Sequence, residues 1–131
     1  MKILHNQEQF FDYKYYINDG KKIPHGEYKQ YYVDLNRKAT NLKIHCFYQH
    51  GQLHGEYKSY HCNGKLANHF FYISNIHLSA PSSQIGESLE YDENGTLLYR
   101  EFYLNYDQFK RDFLFIPNIN FNKSRFQTLE F

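Results

Sequence analysis

The chain has no tryptophan, one methionine and two cysteines among its 131 residues. Each shortage excludes something. No stretch approaches the roughly 20 consecutive apolar residues that a membrane-spanning helix needs. Cys46 and Cys62 form no CxxC pair, so the expectation is two reduced thiols in a cytoplasmic protein. Residues 1–10 contain no apolar h-region and neither terminus carries a lipidation motif, so no secretory signal or lipid anchor is expected. There is no GxSxG, no HExxH and no phosphate-cradling glycine loop, and the chain is expected not to be an enzyme. Aliphatic residues are modest in number, and a conventional sandwich core wants many of them.

What the chain has instead is aromatic rings. Fourteen tyrosines and 12 phenylalanines make up a fifth of it, and each ring can bury on the order of 150–250 Å². The tyrosine hydroxyl keeps a polar partner or water, so so much tyrosine implies a thin or half-open structure. Charge is nearly balanced at +1 overall, but it is unevenly placed. Residues 21–67 carry eight Lys/Arg against three Asp/Glu, and residues 81–107 carry one Arg against six Asp/Glu. Such asymmetry can guide a partner or favour head-to-tail self-association.

An internal repeat organises the rest. His25-Gly26-Glu27-Tyr28-Lys29-Gln30-Tyr31-Tyr32 recurs as His54-Gly55-Glu56-Tyr57-Lys58-Ser59-Tyr60-His61, identical over its first five positions. A weaker copy begins at Ile85-Gly86-Glu87 and keeps Tyr91 at the offset of Tyr31 and Tyr60. The glycines stand 29 and 31 residues apart (26 to 55, 55 to 86). Later in each unit a leucine leads six residues on to a Phe-Tyr ending: Leu42 to Tyr48, Leu66 to Tyr72, Leu97 to Tyr103.

The pattern predicts one β-hairpin per unit. Asn63-Gly64 and Asn94-Gly95 suit tight type I′ turns, in which both central residues take positive φ. The first unit has a longer joint, Val33 to Asn41, without that dipeptide. Leu42, Ile44, Cys46 and Tyr48 share one face by alternation, as do Leu66, Phe70 and Tyr72. Asn18-Asp19-Gly20 and Gln49-His50-Gly51 turn the chain between units, and Ser79 to Ser83 reads as an inserted loop. Tyr28 and Tyr31 have opposite parity, as do Tyr57 and Tyr60. Mixed faces of this sort favour an open sheet over a sandwich with one dry face. The expected fold is therefore all-β, an elongated single-layer antiparallel meander of about three hairpin repeats with terminal caps. As one domain, it divides into a cap or half repeat at 1–22, units at 23–53, 54–84 and 85–107, and a cap at 108–131. That last segment holds Phe109, Phe113, Phe115, Phe121, Phe126 and Phe131, which could cover the final unit.

Gly-Glu-Tyr-Lys-x-Tyr, Asn-Gly-Lys-Leu and Phe-Tyr, in that order, resemble the MORN-repeat superfamily, and within it the MORN-variant repeats of the YwqK-like, antitoxin-component group. The resemblance covers about residues 13–106. Gly26, Gly55 and Gly86 fall at that family's hairpin glycine, and Asn63-Gly64 and Asn94-Gly95 at its turn. The units here are longer than the family's, and Ser88 stands where the third unit's first tyrosine would be. The resemblance implies a curved, groove-bearing β-meander used for protein scaffolding, dimerisation and sometimes phospholipid contact.

The candidate partner-binding residues are the repeat tyrosines Tyr28, Tyr31, Tyr57, Tyr60 and Tyr91, which inter-unit packing would equally explain. A basic patch of Lys21, Lys22, Lys29, Arg37, Lys38 and Lys43 lies among Tyr28, Tyr31 and Tyr32, and rings flanked by cations suit single-stranded nucleic acid or an anionic lipid surface. His45-Cys46 and His61-Cys62 invite a metal, but neighbours in a strand point to opposite faces and zinc needs four convergent ligands. No metal and no cofactor are expected. A non-catalytic protein–protein interaction or scaffold module, including an antitoxin or immunity-type binder, is the leading reading. Homodimerisation through sheet edges is compatible with it, and phospholipid or nucleic-acid binding is the alternative.

Overall fold

The computed structural model describes residues 1–75 and 80–103. They form one antiparallel sheet from nine strands in chain order: β1 (Leu4–Gln7), β2 (Phe11–Asn18), β3 (Lys21–Val33), β4 (Ala39–Gln49), β5 (Gln52–Leu53), β6 (Gly55–Tyr60), β7 (Leu66–Asn75), β8 (Ala80–Tyr91) and β9 (Leu97–Tyr103). Each strand pairs with its successor, except that β5 and β6 both pair with β4. The sheet is an open meander, as expected, and no helix occurs among the described residues. The expected cap at 108–131 lies outside them.

The hairpins β3/β4, β6/β7 and β8/β9 pair in equivalent registers. Gly26, Gly55 and Gly86 oppose Tyr48, Tyr72 and Tyr103, while Tyr31, Tyr60 and Tyr91 oppose Leu42, Leu66 and Leu97. The glycines are needed for their backbone. They have φ of 110°, 95° and 69°, a region costly for residues with a Cβ. A Cβ at Gly55 or Gly86 would meet nothing within 4 Å, so conformation rather than space selects glycine there. Each sits where the strand slips against the preceding unit. The pairing of β4 with Gln52–Leu53, for example, is two residues out of step with its pairing to Ser59 and Lys58. Bulges of this kind need a residue that accepts unusual φ.

The turns correct the sequence-based assignment. The type I′ turns lie between units, at Asp19-Gly20 (φ 52° and 75°) and His50-Gly51 (φ 47° and 85°). At Asn63-Gly64 and Asn94-Gly95 only the glycine has positive φ. There the chain makes a type I turn followed by a bulge: the Gly64 amide donates to the His61 carbonyl (2.9 Å) and the His61 amide to Lys65 (2.8 Å), with Asp92, Gly95 and Thr96 repeating the pattern. The joint after Val33 has the same form, because the Arg37 amide donates to the Asp34 carbonyl and the Asp34 amide to Lys38, both at 3.0 Å. Arg37 thus occupies the glycine position, at φ 60°. Arg37→Gly is expected to stabilise the protein by about 0.5–1 kcal/mol, since the left-handed region disfavours a side chain; a urea titration followed by circular dichroism measures it.

The loop expected over Ser79 to Ser83 also departs from expectation where it can be followed, Ser79 lying outside the described residues. Residues 80–83 are strand, with Ala80 opposite Asn75 and Ser83 opposite Ile73. Proline at 81 is tolerated because the ladder is irregular there, and the segment is further held by the side chain of Asn75. Its Nδ2 donates to the Pro81 carbonyl (2.7 Å) and to Ser83 Oγ (2.8 Å).

Directly opposed residues share a face, and this sorts the sheet. Tyr28 opposes Cys46 and Tyr57 opposes Phe70, whereas Lys29 opposes His45 and Lys58 opposes His69. The tyrosine-rich run of ring contacts lies on the first set, while His45–Phe47 (5.4 Å) and His69–Phe71 (5.0 Å) meet on the second. Tyr13 meets Tyr15 and Tyr28, both with centroids 5.7 Å away; Tyr28 meets Tyr48 at 5.5 Å; Tyr57 meets Phe70 at 5.8 Å and Tyr72 at 5.9 Å. The second set carries a diagonal acid–base contact in each hairpin: Glu27–His45 at 3.0 Å and Glu56–His69 at 2.8 Å, both hydrogen-bonded, and the ion pair Glu87–Arg100. The sheet is open and both faces carry rings, as the mixed pattern implies, with the Glu27–His45 and Glu56–His69 pairs beside Phe47 and Phe71 on the second face. Parity does not carry from Tyr28 to Tyr31 because the register shifts between Gln30 and Tyr31.

Candidate functional site

Among the described residues Cys46 is the one buried apolar side chain, at 1 % exposure, with Ser88 and Glu101 the buried polar ones. Cys46 lies at the middle of the aromatic face. Extending the β4–β6 register, in which Ile44 opposes Ser59 and His45 opposes Lys58, puts it beside Tyr57, while Tyr28 flanks it on the other side. Burial pushes the Cys46 thiol up to about 12, against a hydrogen bond to Tyr48 that acts the other way. Burial likewise raises Tyr48 to about 12, and Tyr28, Tyr57 and Tyr72 upward, with the neighbouring Cys46 as the next cause in each. A thiol raised in this way stays protonated and unreactive at neutral pH. Its environment suits packing and does not suit nucleophilic chemistry.

The charged face shows the opposite shift. Hydrogen bonds from His45 and His69 hold the Glu27 and Glu56 carboxyls below their usual range. Together these shifts fix how stability depends on pH. Carboxyls with depressed values contribute stability above 4.5 that is lost as pH falls through their folded values. Tyrosines and a thiol with raised values keep their protons when folded but release them when unfolded, from about 9.0 for cysteine and 10.0 for tyrosine. From these groups the melting temperature is expected to fall as pH drops below about 4.5 and again as it rises above about 9, continuing down to about pH 12 on the alkaline side.

The candidate tyrosines divide by position. Tyr28 and Tyr57 belong to the aromatic cluster around Cys46. Tyr31, Tyr60 and Tyr91 lie near the other ends of their strands, next to the bulged turns, where the turns bond to one another. Tyr32 Oη donates to the Tyr60 carbonyl (2.7 Å) and His61 Nε2 bonds the Tyr91 carbonyl (2.9 Å). Asn41 Nδ2 reaches the Cys62 carbonyl and Asn63 Nδ2 the Glu93 carbonyl, both at 2.8 Å. These bonds tie each turn to the next and hold the edge of the sheet in line.

The basic residues are not gathered. Lys21 and Lys22 begin β3, whereas Arg37 and Lys38 lie in or beside the turn beyond its far end; 13 residues of extended strand separate those ends, on the order of 40 Å. Lys22 Nζ lies 4.8 Å from the Tyr15 ring centroid and Lys43 Nζ 5.4 Å from that of Tyr32. Lys29 is on the charged face near Glu27.

His25 and His54, which precede the repeat glycines, act on the backbone. Their Nδ1 atoms accept the amides of His50 (3.0 Å) and Ser74 (3.1 Å). Among the described residues no group of three or more His, Cys, Asp or Glu side chains could hold a metal ion, and no helix is long and apolar enough to cross a membrane. One feature escaped the sequence reading altogether. A cleft of about 330 Å³ opens at the N-terminal end of the aromatic face, lined by Glu8, Phe11, Tyr13, Lys22, Pro24 and Tyr28.

No protein family, no curated protein and no solved structure matches the chain.

Proposed function

We propose that this chain is a non-catalytic protein-binding module of the MORN-variant type, acting as a scaffold or antitoxin-like binder through its aromatic face. The observation that carries the reading is that face itself. Its rings are half-buried against one another, and among the described residues no second layer lies over them. Tyrosine supplies large, semi-rigid contact area with a hydrogen-bonding tip, which suits anchor contacts in protein interfaces. The outer side of β1 has no partner strand among the described residues, which offers a second copy or a partner a place to extend the sheet. The phospholipid or nucleic-acid alternative needs a shared basic patch, and the spread of Lys21, Lys22, Lys29, Arg37, Lys38 and Lys43 gives it less support.

A photo-crosslinking residue placed at Ile17, exposed and in step with Tyr13 and Tyr15, probes the aromatic face; one at Lys14 probes the other. In lysate of the native host, Ile17 should yield a discrete protein adduct that Lys14 does not. Equal adduct patterns from both positions, or adducts to lipid or nucleic acid alone, would overturn the proposal.

A further inference from the structure

The cleft at the N-terminal end of the aromatic face combines three aromatic rings, a proline, one carboxylate and one ammonium. Its walls are set by the strand pairing. Tyr13 opposes Tyr28 and Tyr15 opposes Pro24, so these side chains share a face. Glu8 and Phe11 close the link between β1 and β2, where the Glu8 amide donates to the Phe11 carbonyl at 2.8 Å. Lys22, beside the turn at Asp19-Gly20, extends its ammonium to Asn6 Oδ1 at 3.2 Å. That places the ammonium near β1, two residues before Glu8.

Two properties of this arrangement point to a ligand. First, Glu8 and Lys22 line the same cleft, yet neither is among the ion pairs of the described residues. They are opposite charges held apart over an aromatic floor. Second, a cation already sits against a ring beside the cleft, because the Lys22 ammonium lies 4.8 Å from the centroid of Tyr15, which packs on the lining residue Tyr13. Lys22 spends one donor on Asn6 and keeps others for an anion. A ring quadrupole attracts a desolvated alkylammonium best, and aromatic cages with a nearby carboxylate recognise quaternary ammonium groups on this basis. The cleft's volume lies within the usual range for small-molecule sites, about 300–1,000 Å³.

We propose that this cleft binds a small zwitterion with a quaternary ammonium group, its cationic end against Phe11, Tyr13 and Tyr28 beside Glu8, and its anionic end on Lys22. The site goes beyond the protein-binding reading and does not depend on it.

Glycine betaine is the probe, with saturation-transfer NMR on its methyl protons as the readout. Saturable binding is expected in the millimolar range or tighter. Tetramethylammonium, which lacks the anion, and acetate, which lacks the cation, should each bind about tenfold more weakly or worse, the factor expected for loss of one charged contact. Glu8→Gln and Lys22→Met should each weaken betaine to a similar degree, with circular dichroism confirming the fold; both residues are at the rim, so neither change removes packing from the Cys46 cluster. If betaine does not saturate, or if it binds equally well to both folded variants, the proposal is wrong. Choline phosphate serves as a second arm: tighter binding than betaine would support the same site with a longer ligand, and binding unaffected by Lys22→Met would count against it.

Discussion

Tyr57→Ala should destabilise the protein by about 2–3 kcal/mol, below the 3–5 kcal/mol of a fully buried ring because Tyr57 is only half-buried. Its ring packs on Phe70 and Tyr72 and covers one flank of Cys46, the one buried apolar side chain among the described residues. In a conventional core the neighbours would share that loss. Among the described residues no second layer lies over Tyr57, so its removal lets water reach Cys46 directly. Against a total stability of roughly 5–15 kcal/mol for an ordinary domain, the shift in the urea midpoint should be large. Tyr57→Phe keeps the ring and should remain within about 1 kcal/mol of the wild type. Lys58→Ala, one residue on and on the charged face, should cost less than about 0.5 kcal/mol, since its contact with Glu56 at 3.6 Å is an exposed ion pair. Equal, small effects for all three would mean that the aromatic face carries no stability.

Gly55→Val is expected to have the second largest effect, about 2–3 kcal/mol. The backbone there has φ 95°, and a β-branched residue in that region sits at the upper end of the 1–3 kcal/mol that such strain costs. No atom lies within 4 Å of the Cβ that would be added, so the loss on Gly55→Ala reflects conformation and not a clash at that atom. Gly55→Ala should fall between Val and wild type. Chevron or equilibrium urea curves distinguish this from a steric effect: enlarging the space around residue 55 should rescue nothing.

The meander was legible in the sequence because its signal is local. His-Gly-Glu-Tyr-Lys appears twice with its turn and return strand at fixed offsets, and the structure gives those positions equivalent pairings. Asp19-Gly20 and His50-Gly51 were placed as turns correctly, but their type was assigned elsewhere. Asn-Gly fits a turn with one positive φ as well as one with two, and the choice is made by how many residues the flanking strands leave unpaired. Pro81 and the serines after it look like a loop by composition alone; in β8 they pair irregularly with β7, and the Asn75 side chain bonds them from across the ladder. The diagonal pairs Glu27–His45 and Glu56–His69 were invisible because the partners lie 18 and 13 residues apart. Unequal turn lengths hide that common geometry until the register is known. The cleft was hidden for the same reason, since Glu8, Lys22 and Tyr28 come together only through the pairing of three strands.

The aromatic face thus has two tasks in this account. Around Cys46 it is the driest part of the sheet among the described residues, and toward β1 it opens into a cleft and the surface proposed for partners. Thiol alkylation tests the first, on which the second depends. Native protein treated with iodoacetamide at neutral pH and analysed by mass spectrometry should take up one label quickly, at the exposed Cys62. Cys46 should label only as fast as the protein unfolds, and at the Cys62 rate in urea. Equal, rapid labelling of both cysteines in the folded protein would show that the tyrosines do not exclude water, and would contradict the account.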